Sequence, residues 1–125
     1  MRSKNKRSDF MPFINVKTNA DLTAEAMEKI KSDLGNAITI FPGKSESWLM
    51  VAIEDKVPMW FKGNGERTVV YAEVKVFGND INPAVAENMT AEMTEILSDG
   101  TKATPADIYI TYSACKDWGW NGGNF

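Results

Sequence analysis

Residues 11–19, MPFINVKTN, hold a short run in which apolar and polar side chains alternate. In an extended chain, Phe13 and every second residue after it lie on one side, and Ile14 and Val16 lie on the other. This alternation predicts a β-strand. Pro12 would stand at the first position of that strand, where a proline is commonly tolerated.

A helix and a second strand are predicted to follow. Thr23 is a suitable N-cap, and apolar residues recur after it every three or four positions, which is typical of one helical stripe. The Pro42-Gly43 pair is expected to stop this helix. Residues 48–55, WLMVAIED, then predict a mostly apolar strand of the kind that is buried on both faces. The helical stripe consists of Met27, Ile30, Leu34, Ala37 and Phe41.

The second half of the chain repeats this order after a predicted hairpin. Met59–Lys62 would form the first arm, Gly63–Gly65 the turn, and Thr68–Val76 the long second arm. Asn82 and Pro83 suit the N-cap and first position of a second helix. A last main strand, DIYITYS, follows Pro105. The stripe of the second helix consists of Val85, Met89, Met93, Ile96 and Leu97.

This order predicts an α+β (α/β) domain built from two pseudo-repeated β-α-β units, with a four-stranded mixed sheet and both helices on one face. The two halves share no obvious sequence identity, so the predicted repeat is topological. Two short segments with exposed edges, Met59–Phe61 and the C-terminal tail, are expected to pair across subunits.

Composition excludes several functions. The chain of 125 residues has a net charge of −3. Since residues 1–11 are basic, residues 12–125 carry the excess of negative charge. An acidic domain argues against nucleic acid as the partner. No apolar run approaches the roughly 20 residues needed to cross a membrane. Cys115 is the single cysteine and the chain has no histidine. Acid–base chemistry must therefore use Asp, Glu, Lys, Tyr, Cys or a terminal amine.

Four segments together resemble the macrophage migration inhibitory factor family of the tautomerase superfamily: residues 11–19, residues 42–53 (PGKSESWLMVAI), residues 104–112 (TPADIYITY) and residues 118–125 (WGWNGGNF). The resemblance runs from Pro12 to the C-terminus. It implies a homotrimer with active sites between subunits. It also implies keto–enol tautomerisation of phenylpyruvate-like 2-keto acids, without a metal or organic cofactor.

The resemblance also implies roles for individual residues. Pro12, as the amino-terminal residue, would be the catalytic base, and Lys44 would bind the substrate carboxylate. The family's backbone contact to the substrate would be made by Val76. Tyr109 would be the tyrosine that the neighbouring subunit contributes. Thr111 stands where the family often has an asparagine, so an amide contact at the substrate is lost or altered. The apolar walls of the site fall on Phe13, Trp48, Trp120 and Phe125.

The role of Pro12 depends on where the mature chain begins. A peptide nitrogen is an amide whose lone pair is delocalised, and it has no useful basicity. A terminal amine has an ordinary pKa of about 7.7–8.0, and burial among aromatic rings, with Lys44 nearby, is expected to lower that pKa. An unprotonated amine can remove a proton from the carbon beside a ketone.

Residues 1–11 are predicted to be an N-terminal extension outside the folded domain, which spans residues 12–125. The codons of Lys6 to Ser8 can contain AGGAG, a bacterial ribosome-binding sequence, at a normal distance from the codon of Met11. The hypothesis is that residues 1–10 are a translated leader and that Met11 is the start. No apolar segment typical of a signal peptide follows the basic residues. The expected location is the cytoplasm, with non-classical export as the alternative.

Two other functions remain open at this point. The chain could be a cytokine-like module that binds a protein receptor, with vestigial or no catalysis. It could also catalyse another proline-based reaction, such as hydration or decarboxylation, although no second general acid stands out in the sequence. The expected partners are a small aromatic 2-keto acid and further copies of this chain, and neither nucleic acid nor a membrane.

Overall fold

The first strand, β1 (Pro12–Thr18), lies inside a four-stranded sheet. The computed structural model describes residues 11–125. β2 (Met50–Glu54) pairs parallel to β1 at one edge of the sheet, and β3 (Val70–Phe77) pairs antiparallel to β1 on its other side. β4 (Ile108–Cys115) pairs parallel to β3 at the far edge. The predicted mixed sheet of two β-α-β units is confirmed.

Two helices cross from the first to the second strand of each unit. In α1 (Ala24–Ala37), the side chain of Thr23 accepts a hydrogen bond from the backbone N–H of Ala26 at 3.0 Å, as the predicted N-cap requires. In α2 (Pro83–Thr101), the Asn82 side chain accepts from two backbone N–H groups of the first turn. Both predicted helix starts are therefore confirmed.

The core lies between the sheet and the two helices. Alternate residues of β1 and β3 are buried, which places their even-numbered side chains against the helices. The predicted stripes supply the helical side of the core, although Met27 and Val85 are only partly buried. The opposite face of the sheet carries the odd-numbered residues of β1, β3 and β4 and the even-numbered residues of β2, and within residues 11–125 it carries no helix. We call it the open face. The core side chains that are least exposed are Ile14, Ile30, Leu34, Ile38, Met89, Met93, Leu97, Val16 and Val74.

The predicted hairpin is wrong. Phe61 and Asn64 pair with each other through two backbone hydrogen bonds of 3.0 Å, so the Gly-Asn-Gly signal makes a small local turn. The long second arm becomes β3, whose partners are β1 and β4. The physical reason is that β3 buries four apolar side chains by pairing inside the sheet, which Met59–Lys62 could not offer.

Two further boundaries differ from the prediction. α1 ends at Ala37 and continues as a 3₁₀ turn over Ile38–Ile40, so the chain leaves the α-helix before Pro42-Gly43. β2 is an edge strand rather than a strand buried on both faces, and Met50 is 68% exposed. An edge strand has only one neighbour, which the alternation of its own residues could not reveal.

The C-terminal tail folds into a small hairpin of β5 (Gly119–Trp120) and β6 (Gly123–Asn124). The backbone N–H of Phe125 closes it by donating to the carbonyl of Trp118 at 3.1 Å. Within residues 11–125, no helix combines the length and the apolar character that a membrane span requires. The predicted extension, apart from Met11, lies outside the described residues.

Candidate active site

Pro12 lies at the end of the sheet where β1 and β2 begin and β3 ends. An open cleft of about 700 Å³ surrounds it, and the start of β1, the segment before β2 and the C-terminal tail form its walls. We call it the aromatic cleft. Its lining residues are Met11, Pro12, Phe13, Ser47, Trp48, Leu49, Met50, Lys75, Trp118, Gly119 and Trp120.

Four aromatic rings contact one another in a row that begins in this cleft. The rings of Trp48 and Trp120 meet edge to face at 5.2 Å between centroids. Trp120 stacks on Phe125 at 6.2 Å with an angle of 9° between planes, and Phe125 meets Phe77 at 5.4 Å. The structure therefore brings three of the predicted wall residues together, and Phe13 lines the same cleft. Such a surface suits the face of an aromatic ligand.

Met11 closes the cleft beside Pro12. Its side chain is 4% exposed, and its carbonyl accepts a hydrogen bond of 3.1 Å from the backbone N–H of Phe77. The ring of Pro12 is buried as well. In the chain that includes Met11, the nitrogen of Pro12 is a tertiary amide, which is not a base. Removal of the residues before Pro12 would leave this nitrogen as an amine that borders the cleft.

The backbone donor next to Pro12 belongs to Phe77, whereas the family resemblance implied Val76 for the backbone contact. Pro12 is the register partner of Val76, and along an antiparallel ladder successive N–H groups point to opposite sides. The N–H of Val76 therefore points toward β4, and that of Phe77 points toward β1. Sequence alone could not find this donor, because its direction depends on the register.

Lys44 lies in a neighbouring cleft of about 200 Å³, which we call the lysine cleft. The turn that presents it contains Gly43 at φ 80°, a conformation that favours glycine, and the Lys44 N–H donates to the carbonyl of Phe41 at 3.0 Å. Val76 lines the same cleft. The two catalytic candidates thus line different clefts, which are linked by the register pair of Pro12 and Val76. The lysine cleft is lined by Phe41, Pro42, Lys44, Val76, Phe77, Asp80, Ile81, Asn82 and Val85.

Tyr109 and Thr111 lie away from Pro12. Through β3, Pro12 is level with Ala114, and at about 3.3 Å per residue the five residues back to Tyr109 span roughly 16 Å. Tyr109 is 60% exposed and its ring meets that of Phe61 at 5.1 Å. With Trp60, which is 70% exposed, these residues form the exposed patch. One chain does not bring Tyr109 to Pro12.

The exposed patch is held by an ion pair at the start of β4. The Asp107 carboxylate is buried, and it accepts from Arg67 Nε at 3.1 Å and from the Thr104 hydroxyl at 2.8 Å. These hydrogen bonds lower the pKa of Asp107 below its ordinary value. Asn19 holds the same segment through its amide, which donates to the Arg67 carbonyl at 2.8 Å.

On the open face, the Thr111 hydroxyl lies 2.9 Å from the hydroxyl of Tyr71.

Among residues 11–125, no group of three or more histidine, cysteine, aspartate or glutamate side chains is placed to hold a metal ion. A four-stranded mixed sheet with two helices on one face is the fold of the MIF and tautomerase proteins. Residues 11–125 match the family model described as macrophage migration inhibitory factor (MIF). The chain belongs to this family.

Solved structures agree with this assignment. The chain is similar to MIF2 of Leishmania major, with 27% identity, a TM-score of 0.85 and coverage of 93% of this chain and 98% of that chain. It is also similar to the MIF homologue of Prochlorococcus marinus, with 25% identity, a TM-score of 0.75 and coverage of 90% and 98%. The protein Pt0534, solved in a form inactivated by 2-oxo-3-pentynoate, shares the fold at 12% identity, with a TM-score of 0.78 and coverage of 89% and 93%. A search of curated proteins gave no significant match.

Proposed function

We propose that this protein is a cofactor-free keto–enol tautomerase of phenylpyruvate-like 2-keto acids, in which Pro12 is the amino-terminal base after removal of residues 1–11. The observation that carries the proposal is the position of Pro12 at the bottom of a cleft with aromatic walls. Membership of the MIF family supports the tautomerase class.

In the proposed reaction, the neutral amine of Pro12 removes a proton from C3 of the 2-keto acid. The electron pair of the broken C–H bond forms the C2–C3 double bond, the π pair of the ketone moves to its oxygen, and this oxygen takes a proton from water to give the enol. The reverse reaction returns the proton from Pro12 to C3. A buried amine surrounded by apolar groups resists protonation, which favours the basic form near neutral pH.

Two groups are proposed to stabilise the enolate, and an aromatic contact is proposed to hold the phenyl ring. Phe77 loses its acceptor when Met11 is removed, so its N–H would be free to donate to a substrate oxygen at the head of β1. Lys44 would attract the substrate carboxylate from the lysine cleft. The phenyl ring would rest against Trp48 and Trp120.

Tyr109 is proposed to act in the site of a neighbouring subunit of a homotrimer. Its distance from Pro12 in the same chain, together with the exposure of Trp60 and Tyr109, supports this arrangement. Thr111, on the same face of β4, would come with it and replace the family's amide by a hydroxyl.

The test is ketonisation of phenylpyruvate enol, followed by absorbance, with the chain that starts at Pro12 and with the full-length chain. We expect activity in the first, and a loss of about 10²–10⁴-fold in the second and in Pro12→Gly. Pro12→Gly keeps a free amine at the same place, so it tests the constrained secondary amine. Equal rates in the short and full-length chains would contradict the proposal.

Mixed oligomers test the contribution of the neighbour. Pro12→Gly and Tyr109→Ala chains are expected to be weak when each is assembled alone. When they are unfolded together and reassembled, some interfaces combine an intact Pro12 with an intact Tyr109, and activity should rise well above the mean of the two. Activity that stays at the mean would place both residues in the same subunit or give Tyr109 no role.

A protein-binding module is the second candidate function. It is favoured by the packing of Met11, because a chain that retains Met11 has a buried amide in place of the base. In that case the exposed patch would serve a protein partner. Absence of activity from both the short and the full-length chain would support this candidate.

A further inference from the structure

Lys75 lies in the aromatic cleft and has no part in the proposed proton transfer. It stands on β3 opposite Phe13, and alternation along the strand places its side chain on the open face. It is exposed and lines the cleft together with Pro12 and Trp120. Of the lining residues that the structure describes, Lys75 alone carries a charge. Its ammonium group is therefore set in a lining that is otherwise uncharged and, apart from Ser47 and Gly119, apolar or aromatic.

The two clefts differ in their charges. Lys44 shares the lysine cleft with Asp80, whose carboxylate offsets part of the positive charge there. No described acidic residue lines the aromatic cleft beside Lys75. An anion that enters the aromatic cleft thus meets a cation without a competing carboxylate in the lining.

The size of the aromatic cleft leaves room for a second group on the ligand. Its volume of about 700 Å³ lies well within the range of sites that bind drug-sized ligands, which are larger than phenylpyruvate. A ring placed against Trp48 and Trp120 fills one wall only. A substituent on that ring can extend toward Lys75.

We propose that Lys75 is a specificity-determining residue that binds a second anionic group of the substrate, so that the substrate class is an aromatic 2-keto acid with a carboxylate on its ring. This inference rests on the proposed function, since it adds a substrate preference to the same site. Lys44 takes the carboxylate of the 2-keto acid, and Lys75 takes the one at the far end of the molecule. A lysine is suited to this contact because its flexible stem can follow the ligand.

The experiment compares phenylpyruvate with 4-carboxyphenylpyruvate, in the chain that starts at Pro12. The measured quantity is the ratio of the two kcat/KM values. For a partly exposed ion pair, the wild-type ratio should favour the dicarboxylate by about two- to fivefold. Lys75→Met and Lys75→Gln should remove this preference, and Lys75→Glu should reverse it. Lys31→Met, which removes the same charge from α1, is the matched control and should keep the wild-type ratio.

The outcomes separate this inference from the proposed function. Turnover with equal ratios in wild type and Lys75→Met overturns the inference and leaves the tautomerase proposal standing. A ratio that falls equally in Lys31→Met also overturns it, because the effect is then one of net charge. If neither acid is turned over, the tautomerase proposal fails, and quenching of Trp48 and Trp120 fluorescence by the two acids gives the ratio of Kd values. A preference that Lys75→Met removes supports the inference in that case, and its absence overturns it.

Discussion

Met11 should stabilise the fold and block catalysis. Comparison of chains that start at Met11 and at Pro12, which differ by this one residue, measures both effects. A chain that starts at Met11 retains a side chain that is 4% exposed and a carbonyl that accepts from Phe77 at 3.1 Å. A chain that starts at Pro12 lacks both and gains a free amine. We therefore expect the active form to be the less stable one.

The size of the effect follows from these two contacts. Burial of a methionine side chain contributes about 1.5–3 kcal/mol, and one hydrogen bond contributes about 0.5–1.5 kcal/mol. The free energy of unfolding should thus be about 2–4 kcal/mol lower for the chain that starts at Pro12. Its kcat/KM should be higher by about 10²–10⁴-fold, the usual contribution of a general base.

Urea denaturation measures the first quantity, at one protomer concentration because assembly shifts apparent stability. Intact mass verifies each terminus. Met11→Ala in the longer chain is the matched control, because it removes the side chain but keeps the amide. Met11→Ala should lose most of the stabilisation that Met11 contributes, and it should remain inactive. An active chain with Met11 verified in place would refute the role of Pro12, and equal unfolding free energies would refute the packing argument.

Three other predictions concern the ion pair, the helix contact and the aromatic wall. Arg67 depresses the folded-state pKa of Asp107, so the stabilisation by this carboxylate is present above its ordinary pKa of 3.8 and is lost as pH falls through the lower folded-state pKa. The urea midpoint of Asp107→Asn should therefore be lower than that of wild type at pH 7 and should lack this dependence on acid pH. Gly100→Ala should lower the free energy of unfolding by about 1–3 kcal/mol, since a Cβ there would lie 2.5 Å from Cγ1 of the buried Ile30. An unchanged or higher urea midpoint would contradict this contact. Trp120→Ala should raise KM for phenylpyruvate by up to about tenfold with a smaller change in kcat, and an unchanged KM would place the phenyl ring elsewhere.

Local patterns predicted the elements of this fold, and pairing over long distances in sequence explains the errors. The caps at Thr23 and Asn82 and the two apolar stripes are local features, and all of them are present. The assignment of residues 59–76 as a hairpin also used a local feature, the Gly-Asn-Gly turn. β3 instead pairs with β1, more than fifty residues earlier in the chain, because its apolar side chains are buried there.

The site shows the same division. Resemblance to a family located Pro12 and the aromatic wall, because those residues stand in recognisable segments. No sequence motif indicates Lys75 or the N–H of Phe77. Each is assigned only by its register partner, Phe13 for one and Met11 for the other. Sequence patterns could not supply a register between strands so far apart in the chain.

The end of β3 shows why this register matters for function. Three successive residues there direct three groups to different places: the Lys75 side chain to the open face, the Val76 side chain to the lysine cleft, and the Phe77 N–H toward β1. Pairing with Pro12 brings all three around the head of one strand. A shift of the pairing by one residue would exchange the two faces, so that Lys75 would point into the core and Val76 to the open face. The burial of β3 against the helices prevents that shift, and the same apolar alternation that stabilises the sheet therefore also positions the groups of the proposed site.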